Sequence, residues 1–418
     1  MILRLANYRN VVAKLFEATR TIVLKIVALI VCSQLSMGAA HAAASKETGA
    51  VRRHQDFVTR RGYEFFLKGV RFRVAGVNNH YLPWGSRQEI TRVLDDAVAM
   101  HANVVRTFVT PIIGSLDDSV PTIWDWKRKA DSSNLGVNGA FMAYWDPAQQ
   151  SMAINFGPNG LQRIDFLIAE ASRRKLHLII AFLDFWAYTG GAPQMSAWYG
   201  GSADNHFFAE DSRTRADYKR LVRAVVTRVN GLSGVAYKDD PTIFAWELMN
   251  EPEIQPVPLF LAWVGEMAAY VKSLDPNHML ASGQASIQTK LVELQIPSID
   301  FGTWHGYPAY QSVAPETFDT QIMDYCDRAR VLGKPVILEE FGVARSDPSR
   351  PEIYRNWLAK IQANSSCAGW MVWRLVSRQD SNEFPNDDYD QFDIHNDASP
   401  VWFVLKNAAL ALTSTVPH

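Results

Sequence analysis

Cysteine is scarce in this chain, with 3 in 418 residues. No Cys/His cluster has the spacing of a metal site. There is no P-loop and no dinucleotide-binding glycine pattern, so neither a metal nor an organic cofactor is expected. Charge of one sign is also missing. The 42 Lys+Arg nearly cancel the 43 Asp+Glu, and no basic block stands out, which argues against nucleic acid and other polyanions as partners. The sequence has no internal repeat at solenoid periods and no low-complexity linker. At 48% hydrophobic and 20% charged, its composition is that of a globular protein, which excludes disordered and collagen-like chains. Aromatic residues are plentiful, with 13 Trp, 14 Tyr and 21 Phe. Trp is costly to place, because its ring is large and its indole N–H wants a partner.

The N-terminus reads separately from the rest. Arg4, Arg9, Lys14, Arg20 and Lys25 precede an apolar run from Ile26 to Ala39, followed by the small-x-small site Ala40-His41-Ala42. This is the pattern of a secretory signal peptide over 1–42. The run is short for a transmembrane helix of ~20 residues, although an uncleaved anchor is the alternative. Cleavage would leave residues 43–418 as a secreted protein, extracellular or periplasmic, with no stable membrane association and expected to be a monomer. Export would permit a disulfide between Cys326 and Cys367; free buried thiols are the alternative.

Beyond the leader, short apolar runs alternate with amphipathic stretches. Strands are predicted at 72–77, 104–109, 176–183, 243–248, 279–282, 301–305, 336–341 and 370–375. Most are apolar nearly throughout, as strands buried on both faces should be. Helices are predicted at 89–100, 161–174, 215–229, 260–274 and 316–332. Eight strand–helix units in one unbroken alternation imply an α/β fold, a single (β/α)8 TIM barrel. The fold has an enlarged loop after strand 2, an insert at 110–160. Chemistry in such a barrel belongs at the C-terminal strand ends. The polar residues ending these runs include Asn78 and His80, Arg106, Asp184 and Trp186, Asn250 and Glu251, His305 and Tyr307, Glu339 and Glu340, and Trp373 and Arg374.

Two carboxylates facing each other across a rim are what glycoside hydrolysis requires. One gives a proton to the leaving oxygen and the other attacks the anomeric carbon, so the acid should be raised in pKa and the nucleophile kept ionised. Arg106 is the natural cation for the nucleophile, and Asn250 a natural hydrogen bond to a sugar hydroxyl. Glu339 and Glu340 compete for one role. Adjacent strand residues point to opposite sides, so only one should face the pocket, and Glu340 is expected. Glu247 is expected to be a buried, hydrogen-bonded barrel carboxylate.

The motif Trp246-Glu247-Leu248-Met249-Asn250-Glu251-Pro252, followed about ninety residues later by Glu340-Phe341-Gly342, resembles glycoside hydrolase family 5. The stretch from Val235 to Trp246, Asp204-Asn205-His206-Phe207-Phe208, and the stretch from Asp300 to Pro308 are similar to its endo-β-1,4-mannanase branch. The likeness spans roughly residues 56 to 375. The resemblance implies Glu251 as general acid/base and Glu340 as nucleophile. It implies Arg106 holding the nucleophile and Asn250 on the substrate's 2-hydroxyl. His305 and Tyr307 would flank the two carboxylates, and Trp373 would floor the reacting sugar. It also implies retention through a covalent intermediate on a neutral β-linked polysaccharide or oligosaccharide, without metal or cofactor. A β-glucan hydrolase, a transglycosylase and a non-catalytic carbohydrate-binding protein are the alternatives.

Three places depart from the pattern. His80-Tyr81 stands where a Tyr-Trp pair is more usual, leaving His80 either on the glycone side or structural. Leu183-Asp184-Phe185-Trp186 stands where Asn-Asn-Trp is usual, leaving Trp186 at a subsite or in the core. The insert carries Trp124, Trp126, Tyr144 and Trp145, which either wall a sugar subsite or form a satellite cluster holding the loop down.

Overall fold

The computed structural model describes residues 56–414 apart from 124–131, 134–135, 202–206, 209–211, 287–288 and 386–389. The proposed leader, Trp124, Trp126 and 204–206 lie outside the described residues.

Eight parallel strands form one curved sheet: β1 Val74–Asn78, β2 Val104–Phe108, β3 His177–Ala181, β4 Ile243–Glu247, β5 Met279–Ala281, β6 Gly302–Gly306, β7 Val336–Phe341 and β8 Gly369–Val372. In space they run β5-β4-β3-β2-β1-β8-β7-β6. The β5/β6 seam is joined by single bonds: Asp300 N–H donates to Leu280 C=O at 2.8 Å and His305 N–H to Ala285 C=O at 3.0 Å. The expected barrel is the observed fold.

The helices lie in sequence between the strands: α1 Arg87–Ala99, α2 Gln162–Arg173, α3 Ser212–Val226, α4 Val257–Leu274, α5 Pro315–Leu332, α6 Arg350–Ala363 and α7 Pro400–Thr413. Ser86 opens α1 with a capping box, its Oγ accepting from Glu89 N–H while Glu89 accepts from Ser86 N–H, satisfying two otherwise orphaned donors. By length and composition α4 could cross a membrane, but its Phe260, Trp263, Val264, Met267, Ala268 and Val271 are buried in the protein. Helices α6 and α7 were not predicted. Cys326, on α5, and Cys367, just before β8, form a disulfide.

The bottom of the barrel is closed by a three-stranded antiparallel sheet of Thr59–Arg61, Glu64–Leu67 and Val70–Phe72. From it Phe65 enters the barrel mouth, with ring centroids 5.1 Å from Phe244 and 5.4 Å from Phe301. Ile179, Ala245, Ile337 and Met371 complete this apolar layer.

The insert folds as its own small sheet. Ile112–Ser115 pairs with the hairpin Ala143–Asp146/Ser151–Ile154. Trp145 is 6% exposed and packs against Trp198 at 6.4 Å and edge-on to Tyr199 at 5.3 Å. Trp198 in turn donates its indole N–H to Ile113 C=O at 3.0 Å. Trp145 is thus buried in a cluster that ties the insert to the segment after β3.

Candidate active site

The C-terminal strand ends converge on Arg106, which is wholly buried on β2. A buried guanidinium needs its donors filled, and three other strands, with the loop that follows one of them, supply the acceptors. Arg106 Nε donates to Glu247 Oε2 at 2.8 Å and Nη1 to Asn78 Oδ1 at 3.1 Å. Nη1 also donates to Glu340 Oε1 at 2.6 Å, and Nη2 to Asn250 Oδ1 at 2.8 Å. The carboxylates around Arg106 raise its pKa despite the opposing effect of burial, so it stays a cation. Glu340 is held from its other side by Tyr307 Oη at 2.6 Å. Tyr307 is itself stacked on Phe392 at 5.3 Å.

Glu251 sits four residues past the end of β4. Its φ of 47° is in the left-handed region, a conformation costing of order 1 kcal/mol for a residue with a Cβ. Its N–H donates to Gly283 C=O at 2.8 Å. At Gly283, with φ 77°, a Cβ would meet Met249 C=O at 1.9 Å, so only glycine lets the two loops approach this closely. Trp186 Nε1 donates to Glu251 Oε2 at 2.6 Å, and His305 Nδ1 lies 2.5 Å from Oε1. The same Nδ1 is 3.4 Å from Glu340 Oε2. One donor atom each from Glu251, His305 and Glu340 lies within 4.8 Å of the others, a set able to ligate a cation, although here hydrogen bonds already join these groups.

Glu339 corrects the strand-alternation expectation. It does not turn away from Arg106 and His305: its Oε2 is 3.3 Å from His305 Nε2 and 3.5 Å from Arg106 Nε. The β6/β7 register explains this. Trp304 pairs with Leu338 and His305 with Glu340, so Glu339 is the extra residue of a bulge, and bulges re-aim side chains. Glu340 still takes the position beside Glu251. Glu247 is, as expected, a buried carboxyl. Burial and Glu339 raise its pKa well above the carboxylate range despite Arg106. Burial would raise Glu339 too, but Arg106, Glu247 and His305 together pull it to about 2.

The two carboxyls nearest the opening do not show the order expected of an acid and a nucleophile. Burial pushes Glu251 up, but the His305 cation with its hydrogen bond, and that of Trp186, brings it below the usual range. Burial, helped by the Glu251 charge, leaves Glu340 above its usual value against His305 and Arg106. His305 explains the inversion: burial lowers it, yet Glu340 and Glu251 carry it to about 10.

Trp373, half-buried at the end of β8, stacks on His80 at 5.5 Å with 13° between planes. Arg374 Nη1 lies 3.1 Å from both His80 ring nitrogens, and Arg374 Nε donates to Asp393 Oδ1 at 2.6 Å. His80 thus backs Trp373. Trp186 is tied to Glu251 rather than lost in the core. All nine predicted site residues lie on this rim: Glu251, Glu340, Arg106, Asn250, His305, Tyr307 and Trp186 in one hydrogen-bonded network, Trp373 and His80 as a stacked pair beside it. Asn78 and Asp184, noted in the sequence only as strand-end polar residues, belong to the network, and so does Glu339, the rival of Glu340 for the nucleophile's place. Phe392 and Asp393 carried no signal, since they reach the site from a loop beyond β8 that returns to the barrel through long-range contacts, the Leu375–Ile394 bridge among them.

An eight-stranded barrel with a facing carboxyl pair at its C-terminal end, one of them clasped by Arg and Tyr, has the architecture of a glycoside hydrolase. The comparisons agree. Residues 144–368 match the family model of glycoside hydrolase family 5 β-mannosidase-like proteins. Mannan endo-1,4-beta-mannosidase 7 of Arabidopsis thaliana is 30% identical over 369 residues, covering 77% of this chain and 78% of that protein. The endo-1,4-beta-mannanase structure from Rhizomucor miehei superposes with a TM-score of 0.73 at 27% identity, covering 86% of this chain and all of that one. The endo-beta-1,4-mannanase from Thermotoga petrophila gives 0.68 at 29%, covering 82% of this chain and 77% of that one. The chain belongs to the family 5 β-mannosidase-like glycoside hydrolases.

Proposed function

We propose that the protein cleaves internal β-1,4-mannosidic bonds of mannan-type polysaccharides with retention of configuration. The observation that carries the mechanism is that a carboxyl oxygen of Glu251 and one of Glu340 lie within 4.8 Å of each other, too close for an inverting site's water-sized gap. Retaining sites hold their carboxyls ~5–5.5 Å apart, whereas inverting sites leave ~6.5–9.5 Å for a water. The mannan preference is supported by the likeness to the Arabidopsis, Rhizomucor and Thermotoga proteins, which are named as mannan-cleaving enzymes.

Glu340 attacks the anomeric carbon, with Arg106 and Tyr307 fixing its two oxygens and stabilising its charge. Glu251 protonates the leaving oxygen, then takes a proton from water as that water opens the glycosyl–Glu340 ester. His305 is the group able to charge Glu251 for this role, because its Nδ1 lies 2.5 Å from Glu251 Oε1. As attack consumes the Glu340 charge, one of the anions that raise His305 is lost, which favours release of a proton from the imidazolium toward Glu251.

Glu340→Gln and Glu251→Gln should each lower kcat on mannohexaose by at least ~10³-fold with unchanged circular dichroism. Normal turnover by either variant refutes the assignment. Proton NMR should show the β-anomer first. A panel of mannan, glucomannan, carboxymethyl cellulose and manno-oligosaccharides should place mannan first and release oligosaccharides rather than single sugars. We also propose export directed by residues 1–42, which the Cys326–Cys367 disulfide supports because such bonds persist in oxidising compartments. N-terminal sequencing of secreted protein should read from Ala43.

A further inference from the structure

Asp184 follows β3 by three residues, at a place where this chain departs from the Asn-Asn-Trp pattern. It is 3% exposed. Its Oδ1 accepts two hydrogen bonds, from Asn250 Nδ2 at 2.9 Å and from Trp186 N–H at 3.2 Å. A parallel bridge also joins Asp184 to Asn250 through the backbone. Each of these two donors goes on to touch the reacting groups. Asn250 Oδ1 accepts from Arg106 Nη2 at 2.8 Å, and Trp186 Nε1 donates to Glu251 Oε2 at 2.6 Å. A single carboxylate oxygen therefore holds both the amide of the residue assigned to the sugar's 2-hydroxyl and the backbone of the residue whose indole holds the acid.

The residue type matters. An Asn at this position could offer either its oxygen or its NH2 to Asn250, which would leave Arg106 alone to hold the Asn250 amide in this orientation. A carboxylate only accepts. It compels Asn250 to turn Nδ2 toward β3 and Oδ1 toward Arg106, which leaves the second Nδ2 hydrogen in a fixed direction. We propose that Asp184 is a positioning residue that ties the amide of Asn250 to the backbone of Trp186, so that the 2-hydroxyl contact and the residue supporting the proton donor are set as one unit. The inference rests on the assignment of Glu251 and Asn250 made above.

The electrostatics give it a readout. Burial first, then the charges of Glu251 and Glu340, raise Asp184 to about 7 against its hydrogen bonds from Asn250 and Trp186. Arg106 and His305 stand behind Asn250 and Glu251 respectively. An Asp184 carboxyl that titrates near neutral pH marks the pH–rate profile, whereas a purely structural residue would leave no mark on it.

The test compares Asp184→Asn, Asp184→Leu and wild type on mannohexaose from pH 5 to 9, with thermal melts to confirm folding. Asp184→Leu leaves Asn250 Nδ2 and Trp186 N–H without their acceptor. It should lower kcat by 10- to 100-fold and change KM by less than threefold, because the 2-hydroxyl bond strengthens in the transition state. Asp184→Asn should fold as wild type, keep part of kcat, and lose the ionisation near 7 from the kcat/KM profile. A profile superimposable on wild type for Asp184→Asn overturns the proposal. So does a loss in Asp184→Leu that falls entirely on KM. Should Asp184→Leu not fold, Asp184→Asn alone decides. Wild type failing on mannohexaose but cleaving another β-glycan refutes the substrate reading, and the same comparison then runs on that glycan.

Discussion

The two ends of one barrel are built from the same strands and are equally dry, yet they are opposite in kind. The bottom layer is Val74, Val104, Ile179, Ala245, Met279, Ile337 and Met371, sealed by Phe65. Each residue there loses water and gains close packing. The top layer holds Arg106, Glu247, Glu339 and His305, all at 0% exposure. Burying those charges costs several kcal/mol per ion before their mutual attraction and hydrogen bonds return it. The bottom therefore supplies stability that the top consumes in order to fix an arginine against a nucleophile. The contrast predicts that substitutions at the bottom should move stability alone, while those at the top should move both stability and rate.

The largest effect belongs to Arg106→Leu. It leaves Glu339 and Glu340 without the cation that holds them. Stripping one partner from a buried pair costs 3–5 kcal/mol, and the nucleophile loses its clasp, so kcat/KM should become unmeasurable while urea denaturation shifts by that amount. Phe65→Ala should cost ~3–5 kcal/mol and leave kcat/KM on mannohexaose within twofold at temperatures where the protein stays folded. A comparable loss of rate in Phe65→Ala would dissolve the division between the two ends.

The same contrast explains what the sequence made legible. The bottom layer announced itself as apolar runs, so all eight strands could be located to within a few residues. At the top, the order of polar residues ending those runs pointed to Glu251, Glu340, Arg106, Asn250, His305 and Tyr307, because strand ends in a barrel must converge. Glu339 was misread because its side depends on a bulge between β6 and β7, a register feature with no local signature. Phe392 stayed invisible because it reaches Tyr307 from a loop after β8, and a long-range ring contact leaves no periodicity. Helices α6 and α7 were overlooked. In α7 the apolar residues run nearly continuously from Val401 to Leu412, which blurs the amphipathic pattern.

Stability should also follow pH at the top and not at the bottom. His305 rises from 6.5 in the unfolded chain to about 10 in the fold. Its contribution is therefore fully present below about 6.5 and is lost as pH climbs through 10. Glu339, depressed to about 2, contributes above about 4.5 and loses that contribution as pH falls through 2. Melting temperature should decline between pH 7 and 10 in wild type. His305→Gln should flatten that decline, whereas Phe65→Ala should lower the whole curve in parallel. A slope unchanged in His305→Gln would remove the imidazolium from the account.

The smallest effect concerns the insert, which lies between the two extremes in character. Trp145 contacts Trp198 and Tyr199, and nothing in that packing reaches Glu251 or Glu340 among the described residues. If it clamps the loop, Trp145→Phe should cost about 1 kcal/mol, and a double-mutant cycle with Trp198→Phe should return a coupling of about 0.5–1.5 kcal/mol. KM for mannohexaose should stay within twofold of wild type in both single variants. A wall of a sugar subsite would behave otherwise: base stability would hold, KM would rise severalfold for long oligomers, and short oligomers would be spared. The ratio of KM for mannohexaose to KM for mannotriose separates these outcomes, because only a subsite beyond the third sugar changes it.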